Sequence, residues 1–536
     1  MPEISIRNSC IVVNGYKLGS CPRIENCFKM YDMITHKNYY VGMYYDEVNE
    51  RLYLPRGIDI WFVEKYIGAA AKVDYNHDSY ERIGDVYIKY LPRNDVQKES
   101  LRFMLGEGEY KDNRYRSQMS LNLNTGKGKT YVSIATIAYE RIRSMIITYS
   151  NQWLNQWKDC VTEYTDLTSK DVYQISGAQS IDMILSGKSI HNNHAIYLVT
   201  HSTITSYAAS HGWDKITELF QKLKIGMKFY DEAHLNFGNM SMIDFYTNTY
   251  RTYYVTATPA RSNEQENKIY QLYMKNVPGI ELFDKEEDPH THYISLLFNS
   301  KPKAAEVSSM KNAYGLDINK YANYVIHKEN FHMMMRVVLD MVFRMCGREG
   351  RALFFFHTNE AIEIMYKWFE ANYPELRGLM GIYTSANEDK KKAKDCRFIL
   401  STAKSAGAAE DIKGLKVAVI MDEPFKSKVI ARQILGRTRD DNTYLIEMVD
   451  LGFYKIKQWY YAKLPTYQKY AIDTREVLLV QGELEERAFA IEDARDFRVQ
   501  TVQFIKKEEP FAIECVSFKE DKEEYIECVN FRYPVI

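Results

Sequence analysis

Short, almost continuously apolar segments alternate with helical patterns between residues 121 and 449, and this alternation restricts the fold more than any other feature. Each segment has the composition of a strand that is covered on both faces, as strands of parallel sheets are. Strands that alternate with helices indicate an α/β fold, and the length of the pattern predicts two parallel sheets. The predicted strands are Leu121–Leu123, Met145–Tyr149, Ala195–Val199, Met227–Tyr230, Tyr253–Val255, Ala352–Phe356, Arg397–Leu400, Val417–Met421 and Tyr444–Val449.

The first 90 residues have a different pattern and predict a small α+β unit. Two β-rich runs, Tyr39–Tyr45 and Arg51–Pro55, flank a polar turn and predict a hairpin. Residues 96–105 have the apolar spacing of a helix.

Three further segments complete the expected organisation. Residues 329–346 carry one apolar stripe that ends at a glycine, which predicts a helix. Residues 284–325 are polar and irregular, so we expect them to connect the two sheets. Near the end of the chain, Phe511–Phe518 and Tyr525–Phe531 alternate around a charged turn and predict a terminal hairpin.

Composition excludes several classes of protein. The chain has 536 residues, of which 46% are hydrophobic and 26% charged, so it is neither disordered nor fibrous. The chain has 70 basic and 71 acidic residues and therefore almost no net charge. A nucleic-acid partner would thus have to bind in a local basic groove. The eight cysteines form no C-x-x-C pair, which argues against disulfides and structural zinc. With no secretion signal or membrane-spanning run apparent, we expect an intracellular, cytoplasmic protein, in the host cytoplasm if it is viral.

A glycine-rich basic segment follows the predicted strand at residues 121–123 and precedes a helical run. Glycines let backbone N–H groups approach phosphate, and the start of a helix adds its dipole, so this context suits a phosphate-binding loop. The strict pattern fails at Leu123, which occupies the place of the first glycine, and the competing interpretation is a basic surface turn. The segment is Thr125-Gly126-Lys127-Gly128-Lys129-Thr130.

Two adjacent acids, Asp231 and Glu232, directly follow a predicted strand about a hundred residues later. A nucleotide site needs one carboxylate to orient Mg²⁺ and another to deprotonate water. Asp231 suits the first role and Glu232 the second. Adjacent acids at the end of a strand are common by chance, but their combination with the phosphate loop is specific.

The ordered set of motifs resembles that of superfamily 2 helicases and translocases over residues 91–465. The similarity extends from the G-K-G-K-T loop through D-E-A-H at 231–234 and T-A-T-P-A-R at 256–261. Within this family, the chain most resembles the compact helicases of large DNA viruses and bacteriophages, whose N-terminal domains carry stretches like Leu54-Pro55-Arg56-Gly57. The further matching segments are 146–157 (motif Ia), 199–201, 353–358 (motif IV), 401–412 (motif V), 433–437 (motif VI) and Gln97.

The resemblance implies two tandem RecA-like domains that close on ATP and Mg²⁺, between a small N-terminal α+β domain and a C-terminal extension. The implied boundaries are 1–90, 91–300 (ATP-binding), 301–465 (helicase C-terminal) and 466–536. The implied partners are nucleic acid, with DNA favoured over RNA, and proteins of replication, recombination or transcription.

The resemblance also implies residue roles. The catalytic set is Lys129, Asp231, Glu232, Gln433 and Arg437, with Arg437 as an arginine finger. The Mg²⁺ ligands are Thr130 and Asp231. The nucleotide contacts are Gln97 on adenine, the loop Thr125–Thr130, Asp411 on ribose, Arg437 and Arg439. The nucleic-acid contacts are Thr148, Trp157, Thr200, Thr258, Thr358 and Thr402.

The chain departs from the family pattern in two places, and some residues keep two interpretations. In motif V, Ala409 stands where the family has glycine. In motif VI, Asp440 replaces the second arginine, and Arg439 lies one position earlier. Each threonine suits either a phosphate contact or a loop or capping role, and Trp157 either stacks on a base or packs behind the start of its helix.

The preferred function is an ATP-dependent helicase or translocase, and three alternatives stay open. One is a duplex translocase or annealing motor without net unwinding. A second is the motor of a restriction-type system, although no nuclease motif is evident. The third, from a different class, is a non-catalytic scaffold with a relic nucleotide fold, against which the intact Lys129, Asp231, Glu232 and Arg437 argue.

Overall fold

The structure is a computed structural model in which the chain divides into two units, Met1–Asp284 and Lys285–Ile536. Each unit is described by itself below. No helix among the described residues is both long and apolar enough to cross a membrane. The described residues are 2–32, 35–73, 77–123, 126–189, 193–257, 263–282, 290–312, 315–347, 349–384, 390–402, 412, 414–422, 424–425, 442–480, 483–489 and 500–505.

The first unit begins with a five-stranded sheet in the order β5-β6-β2-β1-β7 and a separate pair of strands, β3 and β4. The predicted hairpin is present in part. Strand β5 pairs with β6 as expected, but residues 37–40 form a different strand that pairs with β3. The elements are β1 (Glu3–Ile6), β2 (Cys10–Asn14), α1 (Pro22–Glu25), β3 (Lys29–Asp32), β4 (Lys37–Tyr40), β5 (Tyr44–Asp46), β6 (Arg51–Pro55), α2 (Ile60–Ile67) and β7 (Ala71–Val73).

A seven-stranded, wholly parallel sheet forms the rest of the first unit, in the order β10-β11-β9-β12-β13-β8-β14. All the strands predicted in this region are present. Because the strands are parallel, their carboxyl ends meet at one edge of the sheet. The strands are β8 (Gln118–Leu123), β9 (Ser144–Thr148), β10 (Val172–Gln174), β11 (Ile196–Thr200), β12 (Met227–Asp231), β13 (Arg251–Thr256) and β14 (Gly279–Leu282).

Helices cover this sheet and follow the alternation that the sequence predicts. The predicted helix at 96–105 is present as the first of them. A 3₁₀ helix spans Gly108–Tyr115. The α-helices are α3 (Asp95–Leu105), α4 (Lys129–Glu140), α5 (Asn151–Tyr164), α6 (Gly177–Leu185), α7 (His201–His211), α8 (Asp214–Leu223), α9 (Phe237–Tyr246) and α10 (Glu264–Met274).

The five-stranded sheet shares a hydrophobic core with the seven-stranded sheet. One continuous buried cluster contains Ile11 and Leu54 together with Tyr254 and Tyr273. Polar contacts join the same elements, since Gln118 Nε2 on β8 donates to the Ser9 carbonyl at 3.0 Å. The first 90 residues therefore pack as part of the first unit, and their status as a separate domain stays a prediction.

The second unit contains a nine-stranded sheet in the order β19-β20-β18-β21-β22-β15-β23-β24-β25. Its pairs are parallel from β19 to β23, and β24 and β25 continue it antiparallel. The small pair β16–β17 is separate. The strands are β15 (Thr291–Phe298), β16 (Lys311–Asn312), β17 (Gly315–Leu316), β18 (Arg351–Phe356), β19 (Met380–Tyr383), β20 (Phe398–Thr402), β21 (Leu415–Ile420), β22 (Thr443–Asp450), β23 (Thr474–Val480), β24 (Glu483–Phe489) and β25 (Gln500–Ile505).

The described helices of the second unit include the long one that the apolar stripe predicts at 329–346. A 3₁₀ helix spans Pro374–Leu376. The α-helices are α11 (Ala304–Ser309), α12 (Ile318–Val325), α13 (Glu329–Cys346), α14 (Asn359–Asn372), α15 (Lys390–Asp395) and α16 (Tyr454–Tyr470). With two large parallel sheets, the predicted α/β class is confirmed.

The expectation that residues 284–325 form an irregular connection is wrong. They include β15, an interior strand of the second sheet that pairs with β22 and β23. Its polar residues concealed the pattern: Thr291 and Ser295 are buried, and their hydroxyls are hydrogen bonded. The predicted boundary at residue 300 therefore falls after a strand that belongs to the second unit. Strand β23 also extends the same sheet, whereas the predicted hairpin at 511–531 lies outside the described residues.

Candidate active site

The glycine-rich segment forms the turn between β8 and α4. Gly126 and Gly128 have positive φ angles of 84° and 91°, which glycine adopts without the steric cost of a side chain. Gly128 is the N-cap of α4, so the first backbone N–H groups of this twelve-residue helix lie next to the turn. The local backbone is thus that of an anion-binding helix start. Thr125 lies outside the described residues.

Gln97, the predicted adenine contact, lies directly against this turn. A Cβ built on Gly128 would overlap the end of the Gln97 side chain, and the positive φ angle favours glycine at this position. Gln97 is on the first turn of α3, where its backbone N–H is capped by Asn94 at 2.9 Å. Its Oε1 accepts a bond of 2.8 Å from the Arg93 backbone N–H. The structure therefore brings together two features that are separated by thirty residues.

Lys129 reaches back from the start of α4 to the end of β8 and toward the acids. Its Nζ donates to the Leu123 carbonyl at 3.2 Å and lies 3.6 Å from Glu232 Oε1. Both side chains are largely enclosed, with 11% and 14% of their surface exposed. An ammonium and a carboxylate in this setting interact more strongly than they would in bulk water.

Asp231 is the last residue of β12, and Glu232 follows it with a positive φ of 50°. A non-glycine residue with this φ is uncommon, and such conformations concentrate at functional sites. Burial and the neighbouring charge of Glu232 raise the pKa of Asp231 to about 6, while a hydrogen bond from Trp157 and the charge of Lys129 oppose the shift. The two acids are thus held close together in a poorly solvated position.

Two contacts at the acids were not predicted. His234 Nδ1 lies 2.7 Å from Thr256 Oγ1 and 3.4 Å from Glu232 Oε2, so it connects the end of β13 with Glu232. Trp157 Nε1 donates to Asp231 Oδ2 at 2.8 Å. His234 belongs to the D-E-A-H run, so a signal was present in the sequence. No local pattern signals the contact of Trp157 with a residue 74 positions away.

The predicted nucleic-acid contacts have mostly structural partners in this conformation. Trp157 is 2% exposed, so its ring packs inside the first unit, as the alternative interpretation expected, and is not available to stack on a base. Thr148 is buried and donates to the Ser150 carbonyl at 3.1 Å. Thr200 and Thr358 are the N-caps of α7 and α14 and accept from backbone N–H groups three residues on.

One further predicted site residue belongs to the second unit. Thr402 is the last residue of β20 in the second unit. Six predicted residues lie outside the described residues, so their roles stay predictions: Thr125, Thr258, Asp411, Gln433, Arg437 and Arg439.

The described residues fit a nucleoside triphosphate with its divalent cation. The backbone N–H groups at the start of α4 lie beside the glycine turn, and Lys129 supplies the positive charge that phosphates require. Thr130 follows Lys129 on the first turn of α4, and Asp231 ends a strand of the same sheet. A hydroxyl and a carboxylate are oxygen ligands of the kind that Mg²⁺ prefers, so these are the residues that would hold the cation.

The described site residues of the first unit lie within a stretch that is similar to a known protein family. Residues 91–261, about a third of the chain, match the family model described as "Type III restriction enzyme, res subunit". The chain is 26% identical over 147 residues to a candidate DNA 3'-5' helicase Rad25 of Haloarcula marismortui. It is 27% identical over 150 residues to a DNA 3'-5' helicase XPB of Kineococcus radiotolerans. These alignments cover 27% and 28% of this chain but only 21% and 25% of the relatives.

Solved structures also overlap with the chain at low identity. T4 UvsW is 13% identical with a TM-score of 0.35, over 89% of this chain and 100% of that one. A fragment of a candidate HsdR subunit of a type I restriction enzyme from Vibrio vulnificus YJ016 is 13% identical with a TM-score of 0.46, over 74% and 70%. Overlaps of this quality carry no information on activity. The family model, however, covers the glycine-rich turn and both acids, and part of the chain is similar to two DNA helicases.

Proposed function

We propose that the protein is an ATP-dependent helicase or translocase that moves along nucleic acid. The observation that carries the proposal is the position of Lys129, which lies between the Leu123 carbonyl and Glu232 at the start of a glycine-capped helix. The phosphate-binding turn, the ammonium group of Lys129 and the paired acids lie at the same edge of one parallel sheet. Ligands of α/β proteins bind at this edge. The similarity of residues 91–261 to a helicase-related family supports the same activity.

The chain's own groups have distinct roles in this proposal. The turn and the N–H groups at the start of α4 bind the phosphates, and Lys129 balances their charge. Thr130 and Asp231 would hold Mg²⁺, which when bound would supply further positive charge to the phosphates. Glu232 accepts the proton of the attacking water, and His234 fixes its orientation through the contact with Thr256. Gln97 contacts adenine, while Gln433, Asp411, Arg437 and Arg439 keep the roles that the family resemblance implies.

DNA is the preferred track, because the two matched relatives carry names of DNA helicases. Translocation along a duplex without strand separation remains the main competing activity, since the nucleotide site is the same for both. Unwinding of a forked duplex but not of a blunt one would indicate a helicase. Stimulation of hydrolysis by duplex DNA without release of a strand would indicate a translocase.

The test is steady-state ATP hydrolysis with no polymer, with single-stranded DNA, with duplex DNA and with RNA. We expect stimulation by at least one polymer and its loss in Lys129→Ala, since that variant lacks the ammonium at the phosphates. Lys188→Ala, which changes an exposed lysine outside the site, serves as the matched control and should behave like the wild type. Hydrolysis that is absent under all four conditions would favour the scaffold alternative.

A further inference from the structure

Trp157 is a buried aromatic residue with a polar contact to the site. It lies on α5, whose inner face also contains Trp153, Leu154 and Val161, all of them at most 3% exposed. Its indole N–H donates to Asp231 Oδ2 at 2.8 Å, within the usual range for a hydrogen bond of this type. The apolar part of the Trp157 ring could pack in the core without a hydrogen bond. Its buried indole N–H, however, needs an acceptor.

The acceptor it uses is the carboxylate expected to hold the divalent cation. A carboxylate at the end of a strand can rotate about its side-chain bonds, and a hydrogen bond to one oxygen restricts that rotation. Trp157 donates to Oδ2 of Asp231, and the backbone N–H of Glu232 also hydrogen bonds to this carboxylate. Outer partners that orient a ligand in this way commonly change metal affinity or activity 10–100-fold when they are removed.

Helix α5 also connects this contact with the strand end before it. The helix begins at Asn151, directly after β9, and the hydroxyl of Thr148 at the end of β9 donates to Ser150 at 3.1 Å. The side chain of Ser150, the N-cap residue, is buried, and its Oγ has no hydrogen-bond partner among the described residues. One fourteen-residue helix thus joins the loop after β9 to Asp231 through Trp157.

We propose that Trp157 is a positioning residue for the cation site. Its indole N–H fixes the orientation of the Asp231 carboxylate, so the position of helix α5 determines the affinity of the site for nucleotide-bound Mg²⁺. This inference rests on the proposed function. It gives Trp157 a role different from base stacking, and it predicts that the hydrogen bond, rather than the bulk of the ring, matters for the cation.

Trp153 provides a matched comparison on the same helix. It lies one turn earlier, is 3% exposed, and packs its ring against Tyr149 at a centroid distance of 6.0 Å. Both Trp157→Phe and Trp153→Phe replace a buried indole by a smaller ring, but only the first removes the donor to Asp231. A purely structural role for Trp157 would give the two variants similar properties.

The experiment measures binding of ADP by isothermal titration calorimetry over a series of Mg²⁺ concentrations and, in parallel, in EDTA. For Trp157→Phe we expect the half-saturating Mg²⁺ concentration to rise about tenfold, with binding in EDTA unchanged. Trp153→Phe should match the wild type in both conditions. The Mg²⁺ dependence of ATP hydrolysis should shift by the same factor, with kcat at saturating Mg²⁺ affected less than the Mg²⁺ requirement.

The outcomes separate the inference from the proposed function. If the wild type shows neither hydrolysis nor Mg²⁺-dependent ADP binding, the proposed function fails first. If the wild type binds Mg²⁺ and ADP but the two variants give equal Mg²⁺ requirements, only the inference is overturned.

A fluorescence measurement covers the case in which Trp157→Phe does not fold. Adding Mg²⁺ and ADP to the Trp153→Phe protein should change its tryptophan emission, because a cation at Asp231 alters the acceptor of the Trp157 indole. Emission that stays unchanged while calorimetry shows binding would contradict the inference.

Discussion

At the scale of single residues, His201 shows how burial and charge are connected in this molecule. It is 1% exposed at the start of α7, stacks on Tyr230 at 5.6 Å, and its Nδ1 has no hydrogen-bond partner among the described residues. Burial lowers the pKa of His201 to about 3. The folded protein therefore keeps this imidazole neutral at a pH where the unfolded chain already binds a proton.

The sign of the resulting pH dependence follows from that difference. Below about pH 6.5 the unfolded state gains a proton that the folded state does not, so the free energy of unfolding falls as the pH falls toward 3. His201→Phe keeps a ring against Tyr230 but does not titrate, and we expect its stability relative to the wild type to increase by about 2 kcal/mol between pH 7.5 and pH 5. Urea unfolding at both values measures this.

Asp231 gives the opposite dependence because its pKa is raised to about 6 by burial and by Glu232. Its protonated form is favoured on folding, so the contribution to stability is present below the unfolded pKa near 4 and is lost as the pH rises through about 6. We expect Asp231→Asn to unfold at higher denaturant than the wild type at pH 7.5, by about 1–3 kcal/mol without nucleotide, and to lose ATP hydrolysis.

This gain should disappear at about pH 4, where both proteins carry a neutral side chain at this position. Asp112→Asn, a change at an exposed acid of the same unit, provides the control and should not alter stability in this manner. A wild type that is as stable as Asp231→Asn at pH 7.5 would contradict the poorly solvated position of Asp231 described above.

At the scale of elements, a contact between Gly57 and helix α10 joins the five-stranded N-terminal sheet to the helix that follows β13. A Cβ on Gly57 would overlap the Tyr273 backbone carbonyl, so only glycine allows the two backbones to approach this closely. Asn276 donates to the Gly57 carbonyl at 3.1 Å from its backbone N–H and at 3.0 Å from its side chain. Just beyond, Lys275 and Asp59 form an ion pair of 2.5 Å.

Helix α10 is held on its other side by a buried carboxylate. Asp244 Oδ2 accepts the Tyr273 hydroxyl and the Tyr254 hydroxyl, each at 2.6 Å, while Oδ1 pairs with Lys228 at 2.6 Å. Lys228 is on β12, three residues before Asp231. A displaced α10 would therefore disturb the strand that ends at Asp231.

Gly57→Ala tests this arrangement. The added methyl group has to push the backbone of α10 away, and we expect a loss of about 1–3 kcal/mol in the free energy of unfolding. Gly84→Ala is the matched control, because nothing lies within 4 Å of a Cβ there and its φ is not positive. Chemical denaturation of the two variants measures the difference. Equal stabilities would mean that α10 is not fixed against the N-terminal sheet.

At the scale of the whole molecule, periodicity and motif order were enough to predict the fold class. The motifs also singled out Lys129 and Glu232, whose side chains lie 3.6 Å apart. The predicted strands from Leu121 to Val449 are present within a few residues, because strands covered on both faces are apolar and easy to recognise. Strand β15 was missed, since its polar residues Thr291 and Ser295 satisfy their hydroxyls inside the sheet. Contacts between residues far apart in sequence, such as Trp157 with Asp231, have no local signal and required the structure.

The same limit applies to the N-terminal boundary, which leads to the last prediction. A change of pattern near residue 90 suggests a separate domain, but Ile11, Leu54 and Tyr254 belong to one buried cluster. Removing residues 1–90 would expose apolar side chains on the seven-stranded sheet that now belong to this cluster, and a large exposed apolar surface promotes aggregation.

We therefore expect a fragment of residues 1–284 to unfold in a single cooperative transition, and a fragment of residues 91–284 to be aggregated or partly unfolded. Size-exclusion chromatography and thermal denaturation followed by circular dichroism distinguish these results. A monomeric 91–284 fragment with a cooperative transition would instead establish the N-terminal region as an accessory domain.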